Sequence, residues 1–128
     1  IVECLKAAGA DFIGDGTASA LEFFIQDQGS NLSGGQKQAV MMARALAFKP
    51  DLFLFDEPTS AMDGFTESQV IEHLSTKLTN QTLIIVTHKM PVVAMCDRVI
   101  VMDQGKIIGD GSKDAYFDLL KKRSEQKV

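Results

Sequence analysis

A strand–helix–strand pattern in the middle of the chain constrains the fold more than any other feature. Leu52 to Phe55 is a continuous apolar run, and Thr82 to Val86 is a second run of strand length. Such runs are typical of parallel strands that are covered on both faces of the sheet. Between them, residues 66–78 place apolar side chains on one face of a helix, namely Val70, Ile71, Leu74 and Leu78. Residues 52–87 therefore predict two parallel strands with a right-handed helical crossover, which is an α/β arrangement.

The segments on either side of this unit predict further helices and a hairpin. Lys37 to Phe48 has no internal glycine or proline and is apolar on nearly every side, so we expect a buried helix. Val99 to Met102 and Lys106 to Ile108, separated by a turn at residues 103–105, predict a hairpin. Three further helical patterns occur at Val2 to Ala8, Ala18 to Phe24 and Lys113 to Lys122.

Composition and charge exclude several classes of protein. The 128 residues suffice for one ordinary domain, and 45% apolar with 23% charged residues is a globular rather than a disordered balance. Lysine and arginine number 13 against 17 aspartates and glutamates, a net charge of −4 that argues against a nucleic-acid partner. No apolar run approaches the roughly 18 to 20 residues that span a bilayer, so we expect no membrane crossing within these residues.

Polar side chains follow both strands of the central unit. Asp56 and Glu57 come directly after the first strand, and His88 follows the second. In an open parallel sheet, ligands bind outside the carboxyl ends of the strands. One carboxylate there can hold a hydrated magnesium ion while its neighbour orients or deprotonates an attacking water. Taken alone, however, two such carboxylates are more often ordinary solvated turn residues at a strand end, and a lone histidine is more often a core residue.

A glycine-rich segment precedes the Lys37 to Phe48 helix. Ser33, Gly34, Gly35 and Gln36 open this helix, where free backbone N–H groups and the helix dipole favour an anion. The two glycines allow a phosphate to approach the backbone closely. The alternative is structural, since Ser33 is also a good N-cap and the glycines also suit a flexible turn.

Taken together and in order, four segments resemble the motifs of the ATP-binding domain of ABC transporters. They are Asn31 to Gln38 as the signature, Leu52 to Pro58 as Walker B, Thr59 to Asp63 as the D-loop, and His88 as the switch histidine. Residues 97–107 are also similar to the strand pair that follows the switch histidine in this family. The resemblance implies the C-terminal half of a P-loop NTPase ABC ATP-binding domain, with parallel strands, flanking helices and part of the helical subdomain.

The resemblance implies a division of the chain and also an absent motif. Residues 1–47 correspond to part of the helical subdomain with the signature, and residues 48–128 to the C-terminal part of the ATPase core. No GxxxxGK[ST] motif is present. Gly29 and Gly34 have the spacing of its two glycines, but the next residue is Gly35 rather than lysine. We therefore expect the Walker A loop to lie upstream of Ile1, part of the sheet to be open, and residues 1–128 alone to bind ATP weakly or not at all.

In this family, two ATP-binding domains close head to tail around two ATP molecules. The signature residues expected at or beside the γ-phosphate of the partner's ATP are Ser33, Gly34, Gly35 and Gln36. Asp56 would hold Mg²⁺ through water, and Glu57 would act as the catalytic carboxylate on the attacking water. His88 would bond the γ-phosphate and help to position that water. Asp63 would tie the two sites together across the interface.

Further details are similar to exporters of the type I protein and peptide secretion group. Ile25 to Gly29 resembles the acidic segment that exporters carry before the signature, with Asp27 in place of the usual glutamate. Met62 in the D-loop and Met90 after the switch histidine match that group as well. The resemblance implies ATP-powered translocation of a substrate, a transmembrane domain as partner, and a location at the cytoplasmic face of the inner or plasma membrane.

Two other functions compete with the transporter hypothesis. One is a soluble ABC-class ATPase of DNA repair or translation, although the coiled coil or charged inserts usual in such proteins are absent from this sequence. The other is a non-catalytic fragment that contributes only signature contacts. The presence of both Glu57 and His88 argues against a degenerate parent, so we expect an ATPase in the complete protein and no activity from residues 1–128 alone.

Overall fold

The computed structural model describes residues 1–14 and 22–125, which form two compact units, Ile1–Thr87 and His88–Val128. The first unit contains helix α1 (Val2–Ala7), a short 3₁₀ helix (Asp27–Gly29), helix α2 (Gly34–Ala47), strand β1 (Leu52–Asp56), helix α3 (Gly64–Lys77) and strand β2 (Thr82–Val86). The second contains helix α4 (Met90–Met95), strands β3 (Arg98–Asp103) and β4 (Lys106–Ser112), and helix α5 (Lys113–Glu125). No helix among the described residues is long and apolar enough to cross a membrane.

Strands β1 and β2 pair in parallel, as the sequence predicts. Leu52 lies opposite Thr82 and Asp56 lies opposite Val86, and the residues between them pair one to one without a register shift. Helix α3 makes the connection, so residues 52–86 form the predicted strand–helix–strand unit. The carboxyl ends of the two strands consequently meet at one edge of the sheet, where Asp56 ends β1.

The two faces of this sheet differ in their surroundings. Phe53 is buried, and its ring stacks on that of Phe55 with the centroids 5.4 Å apart. On the opposite face, Leu54 is 70% exposed and Val86 is 61% exposed. The prediction of strands covered on both faces is therefore wrong for the described residues. Side chains alternate along a strand, and within the first unit only the face with the phenylalanines is packed.

Helix α2 buries one face rather than its whole surface. The residues on its buried face are Ala39, Met42, Ala43 and Leu46. Met41, by contrast, is 71% exposed, so the predicted all-round burial is wrong. The buried face packs on α1 and on the segment that follows it, where Ala10 and Ile13 join Ala39 in a small core.

The remaining helical predictions are met in part. Helix α1 agrees with the pattern over Val2 to Ala8. The helix predicted from Ala18 to Phe24 falls mostly outside the described residues, and the described Phe23 and Phe24 are not helical. Helix α3 buries Val70 and Leu74, two members of the predicted apolar face.

The second unit contains the predicted hairpin. Strands β3 and β4 are antiparallel, with a register shift between Val101 and Met102. Gln104 and Gly105 both have positive φ, as a two-residue type I′ turn requires. The Arg98 guanidinium bonds both carboxylate oxygens of Asp110 across the strands, at 2.7 and 2.6 Å.

Helix α3 starts at a charged cap, and this cap predicts a pH dependence of stability. The Asp63 carboxylate accepts from the N–H groups of Phe65 and Thr66, both at 3.0 Å, and from the Thr66 hydroxyl at 2.7 Å. The bonds from Thr66 hold the pKa of Asp63 below its ordinary value of 3.8. The ionised Asp63 carboxylate therefore stabilises the folded protein in full when the pH is above the ordinary pKa of aspartate. This stabilisation is lost as the pH falls through the lower pKa of Asp63 in the folded state.

We expect Asp63→Asn to flatten this dependence, because asparagine caps the helix without a carboxylate to protonate. The wild-type protein should lose more stability than the variant between about pH 5 and about pH 2. Urea unfolding midpoints measured across this range test the prediction. Parallel curves for the two proteins would contradict it.

Candidate functional site

The two predicted carboxylates, Asp56 for Mg²⁺ and Glu57 for catalysis, lie at the carboxyl edge of the parallel sheet. Asp56 is the last residue of β1 and its side chain is exposed. Glu57 continues the ladder, since its N–H donates to the Val86 carbonyl at 2.8 Å. Its carboxylate Oε2 accepts from the Thr87 hydroxyl at 3.4 Å. The structure thus joins Glu57, by backbone and by side chain, to the end of the neighbouring strand.

Residues 57–61, here called the Glu57 turn, hold an unusual backbone conformation. Glu57 has φ +46°, a left-handed conformation that costs a non-glycine residue roughly 1 to 3 kcal/mol. The Glu57 carbonyl accepts from the Ser60 N–H at 3.1 Å, which closes the turn. Thr59 is only 2% exposed, and its hydroxyl donates to the Glu67 carboxylate at 2.5 Å. Packing and hydrogen bonds together fix the turn that carries the carboxylate.

The predicted signature forms the start of α2. Ser33 is the N-cap, and its Oγ accepts from the Gln36 N–H at 3.2 Å. The Gln36 Oε1 accepts from the Ser33 N–H at 2.8 Å, which completes a capping box. Gly34 and Gly35 are the first two helical residues, and amides at these positions have no acceptor within the helix. The structure therefore shows the N-cap role of Ser33, and the first two amides of α2 lie where a helix favours an anion.

Gly35 brings the signature against the Glu57 turn. A Cβ at this position would lie 2.5 Å from the Ala61 carbonyl oxygen, which is closer than real Cβ contacts. A Cβ on Gly34 would meet only the Ala61 side chain, at 3.6 Å. Glycine at position 35 is thus required by packing within this chain.

A cavity of about 410 Å³ opens beside this contact. Its walls include three signature residues, Ser33, Gly35 and Gln36, and three D-loop residues, Ala61, Met62 and Asp63. Gly9, Asp11 and Phe12 are among the other residues that line it. The structure therefore brings the predicted signature and D-loop together around one concave surface.

The predicted residues at the strand ends are divided between the two units of the chain. Asp56 and Glu57 lie at the strand ends of the first unit, and His88 is the first residue of the second unit, directly after Thr87.

No group of three or more histidine, cysteine, aspartate or glutamate side chains within the described ranges could hold a metal ion. Magnesium at a nucleotide site needs only one or two carboxylates beside water and phosphate oxygens. The exposed Asp56 carboxylate fits that requirement.

Comparison with known proteins decides the family. A family model described as ABC transporter matches residues 14–60. An ATP-dependent lipid A-core flippase of Neisseria meningitidis is 38% identical over 132 aligned positions, which cover 98% of this chain and 21% of the flippase. The chain belongs to the ABC transporter family.

Two further ABC relatives are named for different transport roles. The leukotoxin export ATP-binding protein of Aggregatibacter actinomycetemcomitans is 38% identical over 122 positions, covering 94% of this chain and 17% of that protein. The arginine transport ATP-binding protein of Bacillus subtilis is 47% identical over 93 positions, covering 71% of this chain and 39% of that protein. The chain thus spans only a fraction of the curated ABC proteins that it matches.

Solved ABC structures confirm the predicted fold class. A bacterial Atm1-family ABC exporter with ATP bound superposes with a TM-score of 0.76 at 32% identity, over 95% of this chain and 21% of the exporter. A dimeric bacterial ABC transporter cassette superposes with a TM-score of 0.66 at 28% identity, over 88% of this chain and 45% of the cassette. The described elements form part of an ABC cassette.

Sequence reasoning placed Gln38 at the end of the predicted signature but gave its side chain no role. Its side chain bonds three groups of the Glu57 turn. A signal was present, since Gln38 lies on the same helical stripe as Gly35, Met42 and Leu46, at spacings of three and four. A polar side chain on a buried stripe needs hydrogen-bond partners, so its position indicated a tie to a neighbouring segment.

Proposed function

We propose that this chain is part of the ATP-binding domain of an ABC exporter, and that ATP hydrolysis in the complete protein powers translocation of a substrate across a membrane. The observation that carries the proposal is the position of Glu57. Its carboxylate stands at the carboxyl edge of the parallel sheet, bonded to Thr87, on a turn that packs against the signature. This is where an α/β sheet places its reacting groups.

In the proposed reaction, Glu57 acts as the general base. It accepts a proton from the water that attacks the γ-phosphate of ATP, while His88 bonds the γ-phosphate and helps to position that water. Asp56 would hold Mg²⁺ through water. When bound, the ion offsets the negative charge that develops on the phosphate oxygens.

We assign Ser33, Gly34, Gly35 and Gln36 to an ATP molecule held by a second ATP-binding domain. The exposed start of α2 supports this assignment, because its amides and dipole favour a phosphate. The D-loop residue Asp63 lies on the same cavity wall and would connect the two sites across a head-to-tail dimer. The dimeric cassette to which this chain is similar is in keeping with such an assembly.

The leukotoxin export relative supports an exporter of the type I secretion kind. In that setting a transmembrane domain is the second partner, and the site faces the cytoplasm at the inner or plasma membrane. We further assign residues 1–47 to the helical subdomain and residues 48–128 to the ATPase core. The sequence contains no GxxxxGK[ST] motif, so residues 1–128 by themselves should not hydrolyse ATP.

Phosphate release from ATP tests this function. We expect the complete protein to hydrolyse ATP with Mg²⁺ and to stop when EDTA removes the ion. Residues 1–128 alone should release no phosphate above a blank. A complete protein without magnesium-dependent turnover would refute the proposed function, whereas turnover by residues 1–128 would refute only the proposed dependence on Walker A.

A further inference from the structure

Gln38 makes three hydrogen bonds from α2 to the Glu57 turn. Its Nε2 donates to the Glu57 carbonyl at 3.2 Å and to the Ser60 hydroxyl at 2.8 Å. Its Oε1 accepts from the Ala61 N–H at 3.0 Å. One side chain thus uses both amide donors and its carbonyl on a segment about twenty residues away in sequence.

The first of these bonds acts on the residue proposed as the general base. Glu57 has a left-handed backbone, and such a conformation persists only where the surroundings hold it. Val86 fixes its N–H, whereas Ser60 and Gln38 fix its carbonyl. Since the backbone sets the direction of the side chain, the bond from Gln38 helps to aim the Glu57 carboxylate.

The other two bonds act on the loop that packs against the signature. The Ala61 N–H donates to Gln38. The Ala61 carbonyl oxygen is the atom that leaves no room for a Cβ on Gly35. Gln38 and Gly35 are neighbours on one stripe of α2, one turn apart. The start of α2 and the Glu57 turn are therefore joined by both hydrogen bonds and close packing.

We propose that Gln38 is a positioning residue for hydrolysis, which links the start of α2 to the catalytic carboxylate. This inference rests on the proposed ATPase function. The signature of this chain serves the partner's nucleotide, whereas Glu57 serves this chain's own nucleotide. When α2 binds the partner's nucleotide, its position is passed through the Gln38 side chain to Glu57. Gln38 thereby sets the orientation of the Glu57 carboxylate toward this chain's own nucleotide.

Three variants of the complete protein test the inference. Gln38→Ala removes all three bonds. Gln38→Glu keeps an acceptor for the Ala61 N–H and for the Ser60 hydroxyl but cannot donate to the Glu57 carbonyl. Met41→Ala changes an exposed side chain of the same helix and is the control. For each, kcat, KM for ATP and the thermal unfolding midpoint are measured.

We expect both Gln38 variants to lower kcat by about tenfold or more, with KM within about twofold of wild type, because misaimed groups slow chemistry more than binding. Gln38→Glu preserves the size of the side chain and two of its three bonds, so it should lose less stability than Gln38→Ala and decides the matter if Gln38→Ala folds poorly. A kcat for Gln38→Glu within about twofold of wild type would overturn the inference, as would a rise in KM that accounts for the whole loss.

The proposed function has its own readout in the same experiment. A wild-type protein that does not hydrolyse ATP refutes the function, and with it the role of Gln38. A wild-type protein that hydrolyses ATP, together with fully active Gln38 variants, refutes the positioning role alone.

Discussion

Glu57→Gln is expected to leave ATP binding by the complete protein intact and to lower its turnover by about 10² or more. Glutamine has the shape of glutamate and keeps an oxygen acceptor for the Thr87 hydroxyl. The backbone bond from position 57 to Val86 does not involve the side chain. The substitution therefore removes proton acceptance while the turn that carries the residue is preserved.

The measurements are nucleotide affinity and the steady-state rate of phosphate release. Glu72→Gln makes the same chemical change at an exposed position of α3 and should have wild-type turnover. Near wild-type turnover in Glu57→Gln would remove Glu57 from its assigned role. Loss of ATP binding in that variant would instead show that the carboxylate contributes to binding.

Gly35→Ala is expected to destabilise the protein by about 1 to 3 kcal/mol, the usual cost of forcing an extra methyl group into a packed site. The added Cβ would stand 2.5 Å from the Ala61 carbonyl oxygen. That oxygen belongs to the backbone of the Glu57 turn, so it cannot move aside by a simple rotation. Because the displaced turn carries Glu57, turnover should fall along with stability.

Gly64→Ala is the matched control for stability. Gly64 likewise lies in the first turn of a capped helix, but a Cβ there would meet nothing within 4 Å. Alanine is the better helix former, so this variant should be as stable as wild type or slightly more stable. Shifts in the denaturation midpoint compare the two variants. Equal midpoints for Gly35→Ala and wild type would refute the packing requirement at Gly35.

Sequence patterns predicted the four strands and the helices α1, α2, α3 and α5 because each is encoded locally, whereas the short helix α4 was not predicted. The apolar run at Leu52 to Phe55 and the helical spacing of the apolar residues on α3 need no distant partner to be recognised. The Asp56-Glu57 pair could be placed at a sheet edge for the same reason, since strand ends are local features.

What could not be predicted depends on which segments meet. The one-sided packing of β1 shows only in its surroundings, because Leu54 and Phe53 are equally apolar in sequence. The close approach of Gly35 to Ala61 and the bonds of Gln38 join segments about twenty or more residues apart. The left-handed backbone of Glu57 is likewise set by this neighbourhood, since no glycine marks the position.

The two pairs of strands also differ in how early each can form during folding. Residue 52 pairs with residue 82, so β1 and β2 meet only after a long loop has closed. Residue 103 pairs with residue 106 across a two-residue turn, and such hairpins form within about 1 to 10 μs. Non-local parallel pairing is the slower process. We therefore expect the edge that carries Glu57 to acquire protection from amide hydrogen exchange during refolding later than the β3–β4 hairpin.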